Sequence, residues 1–216
     1  MTDELFEIID DATGAVIGTA PRKRCHGDPS LIHRSVHVVV YSVDGKSILL
    51  QKRKMTKDIQ PGKWDTAVGG HLMVGESYEQ AAAREMGEEL GIHAADQLRF
   101  LFDFKVRNEI ESENIRVFAI AYDGPFFPQE SELDGVEFFT ITDLKLWLNT
   151  GKTDDFTPLL CRELAMLPEI EHCQQNRLQL LKMKRFPPSN RRGNVSCRTG
   201  LPPSRSGLWF CFSWLP

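Results

Sequence analysis

Hydrophobic positions along the chain fall mostly into short, strand-length runs, and only a few segments carry helical spacing. Phe6-Glu-Ile-Ile-Asp10 and Ala15-Val-Ile-Gly18 flank the turn-forming Asp11-Ala-Thr-Gly14 and predict a β-hairpin. Ser35–Tyr41 and Ser47–Lys52 predict two further strands, joined by the turn Val43-Asp-Gly-Lys46. Leu98–Val106, Ile115–Tyr122 and Val136–Thr140 complete a strand-rich set. The clearest helix runs over Ser77–Leu90. Ser77 is placed to cap it, Gln80 to close a capping box, and Gly91 to stop it. A short helix is predicted over Thr142–Asn149 and a longer one from Pro158 through Leu181. Strands outnumber helices and do not alternate with them, which predicts an α+β domain rather than a doubly wound sheet.

Composition narrows the class. The 216 residues are 41% apolar and 26% charged, enough for one substantial domain. The net charge of −4 gives no basic field, so DNA, RNA duplexes and anionic membranes are not expected partners. The longest apolar stretches, such as Val36–Ser42, are far short of a membrane span, and the acidic start after Met1 does not read as a secretory signal. Five scattered cysteines without a C-x-x-C pair fit reduced thiols in a cytoplasm. Residues 187–216 change character: they hold four Arg but no Asp, Glu or Lys, and five Pro, so the rest of the chain carries −8. This divides the chain into an N-terminal hairpin and lead-in over 1–34, a domain over 35–185, and a basic, Pro-rich tail over 186–216 that is expected to stay unstructured.

The chemistry concentrates between Gly69 and Ile92. On the Ser77–Leu90 helix, Glu85, Glu88 and Glu89 share one face, and Ala83, Met86 and Leu90 an apolar one. Like charges at i, i+4 repel, and a hard divalent cation bound through oxygen ligands would relieve that repulsion, although E-x-x-E-E alone also fits a solvated face. Just ahead lies Gly69-Gly-His-Leu-Met-Val-Gly-Glu76, read as a glycine-bearing loop that lets a ligand approach the backbone. Arg84 stands beside the acidic cluster and can orient Glu76 or a phosphate oxygen.

Gly70, Glu76 and Arg84-Glu85-Met86-Gly87-Glu88-Glu89-Leu90-Gly91-Ile92 together resemble a complete 23-residue Nudix box. The resemblance implies an α/β/α sandwich with a mixed sheet, and Mg²⁺- or Mn²⁺-dependent cleavage of a diphosphate linkage in a nucleotide-type or related small molecule. By the same carry-over, Glu85 and Glu89 are the principal metal ligands, with Glu88 and the Gly70 carbonyl completing the set. A diphosphate is anionic and resists nucleophiles, so its charge must be neutralised and a water positioned for in-line attack. Glu85, Glu88, Arg84 and Glu113 are therefore the expected catalytic residues. Arg53, Lys57, Gly69 and Gly70 are expected to hold the substrate.

A second constellation is similar to the metal site of type I isopentenyl-diphosphate isomerases, which belong to the same superfamily: His26, His33, His71, Glu111 and Glu113, with Pro61-Gly-Lys-Trp64 between. It implies a second divalent ion, for which a mixed N/O set suits Zn²⁺ or Mn²⁺ as well as Mg²⁺. The isomerases carry a proton-transferring cysteine where this chain has Gly69, and they lack the R-E-x-x-E-E core that is intact here. Hydrolase is therefore the expected activity. An isomerase-like enzyme and a non-catalytic ligand-binding module are the alternatives. The substrate and the oligomeric state stay open.

Overall fold

In the computed structural model, residues 4–57 and 59–168 are described. β1 (Leu5–Ile9) and β2 (Val16–Pro21) form the expected antiparallel hairpin as a sheet of their own. A short helix α1 (Arg22–Cys25) leads to β3 (His33–Tyr41) and β4 (Ser47–Arg53). Two short strands follow, β5 (Trp64–Thr66) and β6 (Val68–His71), and then the helix α2 (Tyr78–Leu90). β7 (Arg99–Arg107), β8 (Ser112–Ala121), β9 (Leu133–Thr140), α3 (Ile141–Thr150) and α4 (Pro158–Met166) complete the order.

The seven strands from β3 to β9 make one mixed sheet. Its path runs β5-β4-β3-β8-β7, with β6 on β3 and β9 on β4. Only β3 and β8 pair in parallel, with His33 opposite Glu113 and His37 opposite Val117. Side chains alternate across β3. Val36, Val38 and Val40 pack with Ala82, Met86 and Leu90 of α2. Val39 packs on the other face with Leu144 of α3 and Leu160 and Leu164 of α4. Helices thus cover both faces of the sheet, the α/β/α arrangement expected.

Three expectations change. The glycines at 69 and 70 lie not in a loop but in β6, whose ladder with β3 pairs Gly69 with His37 and Gly70 with Val36. A ladder needs only backbone groups, so two residues without side chains sustain it where the Glu85 and His37 side chains come close. The helix expected over 158–181 ends at Met166. Leu167 is extended because Pro168 follows it, and a residue before proline is pushed out of the α region. The remainder of that segment, the domain end at 185 and the tail over 186–216 lie outside the described residues. On α2, Ala83 is only half-buried and the packed stripe is Ala82, Met86 and Leu90. The capping box of Ser77 and Gln80 and the left-handed stop at Gly91 (φ 68°) form as the sequence indicates.

Candidate active site

β6 and α2 set the acidic half of the site. Glu85 and Glu89 sit one turn apart and are 9% and 8% exposed, whereas the Glu88 side chain stands half in solvent. All three lie along one wall of a cavity of about 650 Å³. A Cβ at Gly70 would sit 2.0 Å from Glu85 Oε1, so the carboxylate occupies the space that any side chain there would need. Glu89 Oε2 accepts from the Gly69 N–H at 3.4 Å. Burial raises the Glu85 pKa. Burial and then repulsion from Glu85 push Glu89 up to about 8.

Arg84 holds this wall together. Its Nε and Nη2 donate to the two Glu76 oxygens at 3.0 Å each, its Nη1 to Glu85 at 2.8 Å and Glu88 at 3.1 Å, and its Nη2 also to the His71 carbonyl at 3.0 Å. Five contacts occupy the five N–H donors of a guanidinium. Arg84 is therefore a positioning residue for the glutamates, and it has no donor left for a phosphate oxygen.

The second expected cluster also assembles, because the parallel register of β3 and β8 and the antiparallel register of β3 and β6 bring it to one face. His26, His33, His71 and Glu113 place one ligand atom each within 4.8 Å of one another. His71 Nε2 lies 3.0 Å from Glu113 Oε1 and 3.3 Å from His26 Nε2. His33 is fully buried and its Nδ1 lies 3.1 Å from the Leu31 carbonyl, which assigns the proton to Nδ1 and the lone pair to Nε2. Nε2 stands 3.4 Å from Glu113 Oε1, yet it has no hydrogen-bond partner. Two acceptors facing each other in the interior call for a proton or a cation between them. Burial and the neighbouring His71 and Arg22 take His26 down to about 4, leaving a neutral ring nitrogen free to ligate. Burial opposes ionisation of Glu113, but the His71 and His33 rings outweigh it and hold the carboxyl well below its usual range. Glu111 lies apart from this group: it is half-buried on the cavity wall, 3.5 Å from Asn108 Nδ2. The hairpin supplies the back wall, with the Phe6 ring stacked on His71 at 4.3 Å and on His33 at 5.2 Å.

Arg53 and Lys57 also line the cavity and are both tied to protein. Arg53 donates to the Ile59 carbonyl at 3.2 and 2.9 Å and to Asp65 at 3.2 Å, and Lys57 pairs with Glu132. Beneath them is a polar network that sequence reasoning missed. Thr157 Oγ1 donates to Asp65 Oδ1 at 2.7 Å, and His37 Nδ1 lies 2.5 Å from Glu163 Oε2. The available signal was a histidine inside the valine run of β3 and a glutamate on the apolar face of α4.

The donor sets on both walls fit divalent cations: buried glutamates of raised pKa against a glycine, and a neutral-histidine and carboxylate group with an unsatisfied buried nitrogen. A family model for the NUDIX domain matches residues 31–160. The chain is similar to an uncharacterized Nudix hydrolase, YfcD of Escherichia coli, with 35% identity over 170 residues, covering 76% of this chain and 86% of that protein. It is also similar to an isopentenyl-diphosphate Delta-isomerase of Streptomyces avermitilis, with 31% identity over 145 residues, 65% of this chain and 73% of that one. Among solved structures, the fold resembles DR0079 from Deinococcus radiodurans, with a TM-score of 0.62 at 22% identity, covering 74% and 97% of the two chains.

Proposed function

The chain belongs to the NUDIX domain family, and on that premise we propose that it is a divalent-metal-dependent hydrolase that cleaves a diphosphate linkage in a small phosphorylated molecule. The observation that carries this reading is the pair of buried carboxylates, Glu85 and Glu89, drawn against a glycine whose place admits no side chain. Glu85, Glu88, Glu89 and the Gly70 carbonyl would hold the ion on that wall, and His26, His33, His71 and Glu113 a second one. When bound, such ions neutralise the phosphate oxygens and make the phosphorus a better electrophile.

The protein's own side chains do the rest. Arg84 keeps Glu76, Glu85 and Glu88 in one arrangement, so no reorganisation is needed as charge develops. Arg53 and Lys57 supply positive charge to the same cavity, where they would hold the terminal phosphate. Glu88 is open to solvent, and its carboxylate would take the proton of the attacking water. Water oxygen bonds to phosphorus as the bridging P–O bond breaks, and the leaving phosphate departs with that electron pair.

The His26, His33, His71 and Glu113 group favours a second reading, an isopentenyl-diphosphate isomerase. Double-bond isomerisation needs proton transfer on both sides of the substrate, and Gly69 has no titratable side chain to provide one of them. A panel of diphosphate compounds, assayed for phosphate release with Mg²⁺ and Mn²⁺, tests the proposal. Metal-dependent release from at least one compound is expected. No release, together with deuterium uptake into isopentenyl diphosphate in deuterated water, would transfer the assignment to the isomerase.

A further inference from the structure

The histidine at 37 has a use that the proposed function does not require. It lies in the middle of β3, on the same face as His33 and Ser35, and is 7% exposed. Its Nδ1 is held by Glu163, which comes from α4 and is itself 1% exposed. The other ring nitrogen, Nε2, has no hydrogen-bond partner among the described residues. The ring edge that carries it turns toward Gly69: a Cβ on that glycine would lie 3.3 Å from His37 Cδ2 and 3.4 Å from Nε2. Contacts that short are tighter than most real side chains make, so a residue other than glycine would cover the edge or push it away. His37 and Gly69 both line the large cavity, next to the Gly69 N–H that faces Glu89.

We propose that His37, oriented by Glu163 and left uncovered by Gly69, donates a hydrogen bond from Nε2 to a phosphate oxygen of the substrate. A carboxylate at 2.5 Å from Nδ1, away from water, favours the protonated form of the ring. Burial works against the charged ring, but the charge and the hydrogen bond of Glu163 outweigh it, and the His37 pKa stands above the ordinary histidine value. With Nδ1–H directed at Glu163, only Nε2–H is available to a ligand. Its position beside Gly69 places a ring donor on the cavity lining, where Arg84 has none left to offer. The role of Gly69 follows: it is an opening through which a residue of the neighbouring strand reaches the substrate. The inference rests on reading the cavity as a diphosphate site.

The test uses methylenediphosphonate, a diphosphate that cannot be hydrolysed, and the full-length chain with Mg²⁺. In histidine-¹⁵N-labelled wild type, titration should shift the His37 ring nitrogens and leave Nε2 protonated in the complex. By calorimetry, His37→Gln should weaken binding about tenfold, the scale of one charge-assisted hydrogen bond. Gly69→Ala should match that loss, because it shields the ring edge without touching the pair. His37→Gln leaves Glu163 buried and alone, so the double variant H37Q/E163Q, which removes both charges, guards against a folding defect and should show the same loss. Binding by wild type with unmoved His37 resonances overturns the inference. So does a double variant that binds within about twofold of wild type. Wild type that does not bind the probe overturns it as well. If wild type still releases phosphate from diphosphates in any of these cases, the hydrolase reading stands without it.

Discussion

Glu85 and Glu89 show how much of the site a single residue can carry. Each is buried, each has its pKa raised, and the two are one helical turn apart. Glu85→Gln and Glu89→Gln keep shape while removing charge, so each should lower turnover by about 10²-fold or more with the fold intact. Phosphate release alongside the melting temperature checks this; near wild-type rates in both variants would remove the metal assignment. These glutamates were legible because i, i+4 spacing is a local pattern. His37 and Glu163 were not, since they meet across 126 positions and nothing near either one announces the other. Arg84 was half legible. Its neighbours could be read from helical spacing, but its contact with the His71 carbonyl depends on where β6 lies.

Elements were legible where a run of side chains has a period and a punctuated end. The capping box at Ser77 and the hairpin around Asp11–Gly14 are of this kind. β6 was not, because two glycines erase the alternation that marks a strand, and the backbone pairing with β3 leaves no trace in composition. The hairpin of β1 and β2 shows what an element can do at a distance from the chemistry. Phe6 packs with Ile8, Ala20 and Cys25 in a cluster of its own while its ring backs the His71 and His33 rings. Phe6→Ala should therefore lower the free energy of unfolding by about 3 kcal/mol, read by chemical denaturation. A loss below about 1 kcal/mol would mean that the hairpin unfolds independently of the sheet.

At the scale of the molecule, the fold class followed from the ratio and order of elements, but strand order did not. Which strands pair, and in which direction, is decided by long-range packing, and the parallel neighbours β3 and β8 have β4 to β7 and α2 between them. That parallel pairing also has a consequence in time. Ser35 and Glu113, hydrogen-bonded at 2.7 Å, are 78 positions apart, and the same register sets His33 opposite Glu113. A chain must close that long loop before the contacts repay it, whereas α2 and the β3–β4 hairpin form from neighbours in sequence. The face that carries His33 and Glu113 should thus form after α2 and the β3–β4 hairpin. In refolding from denaturant, the far-ultraviolet helix signal should recover ahead of enzymatic activity, and the two returning with one rate constant would show the opposite. A partly folded chain of this sequence would already have its glutamate helix, and would not yet be an enzyme.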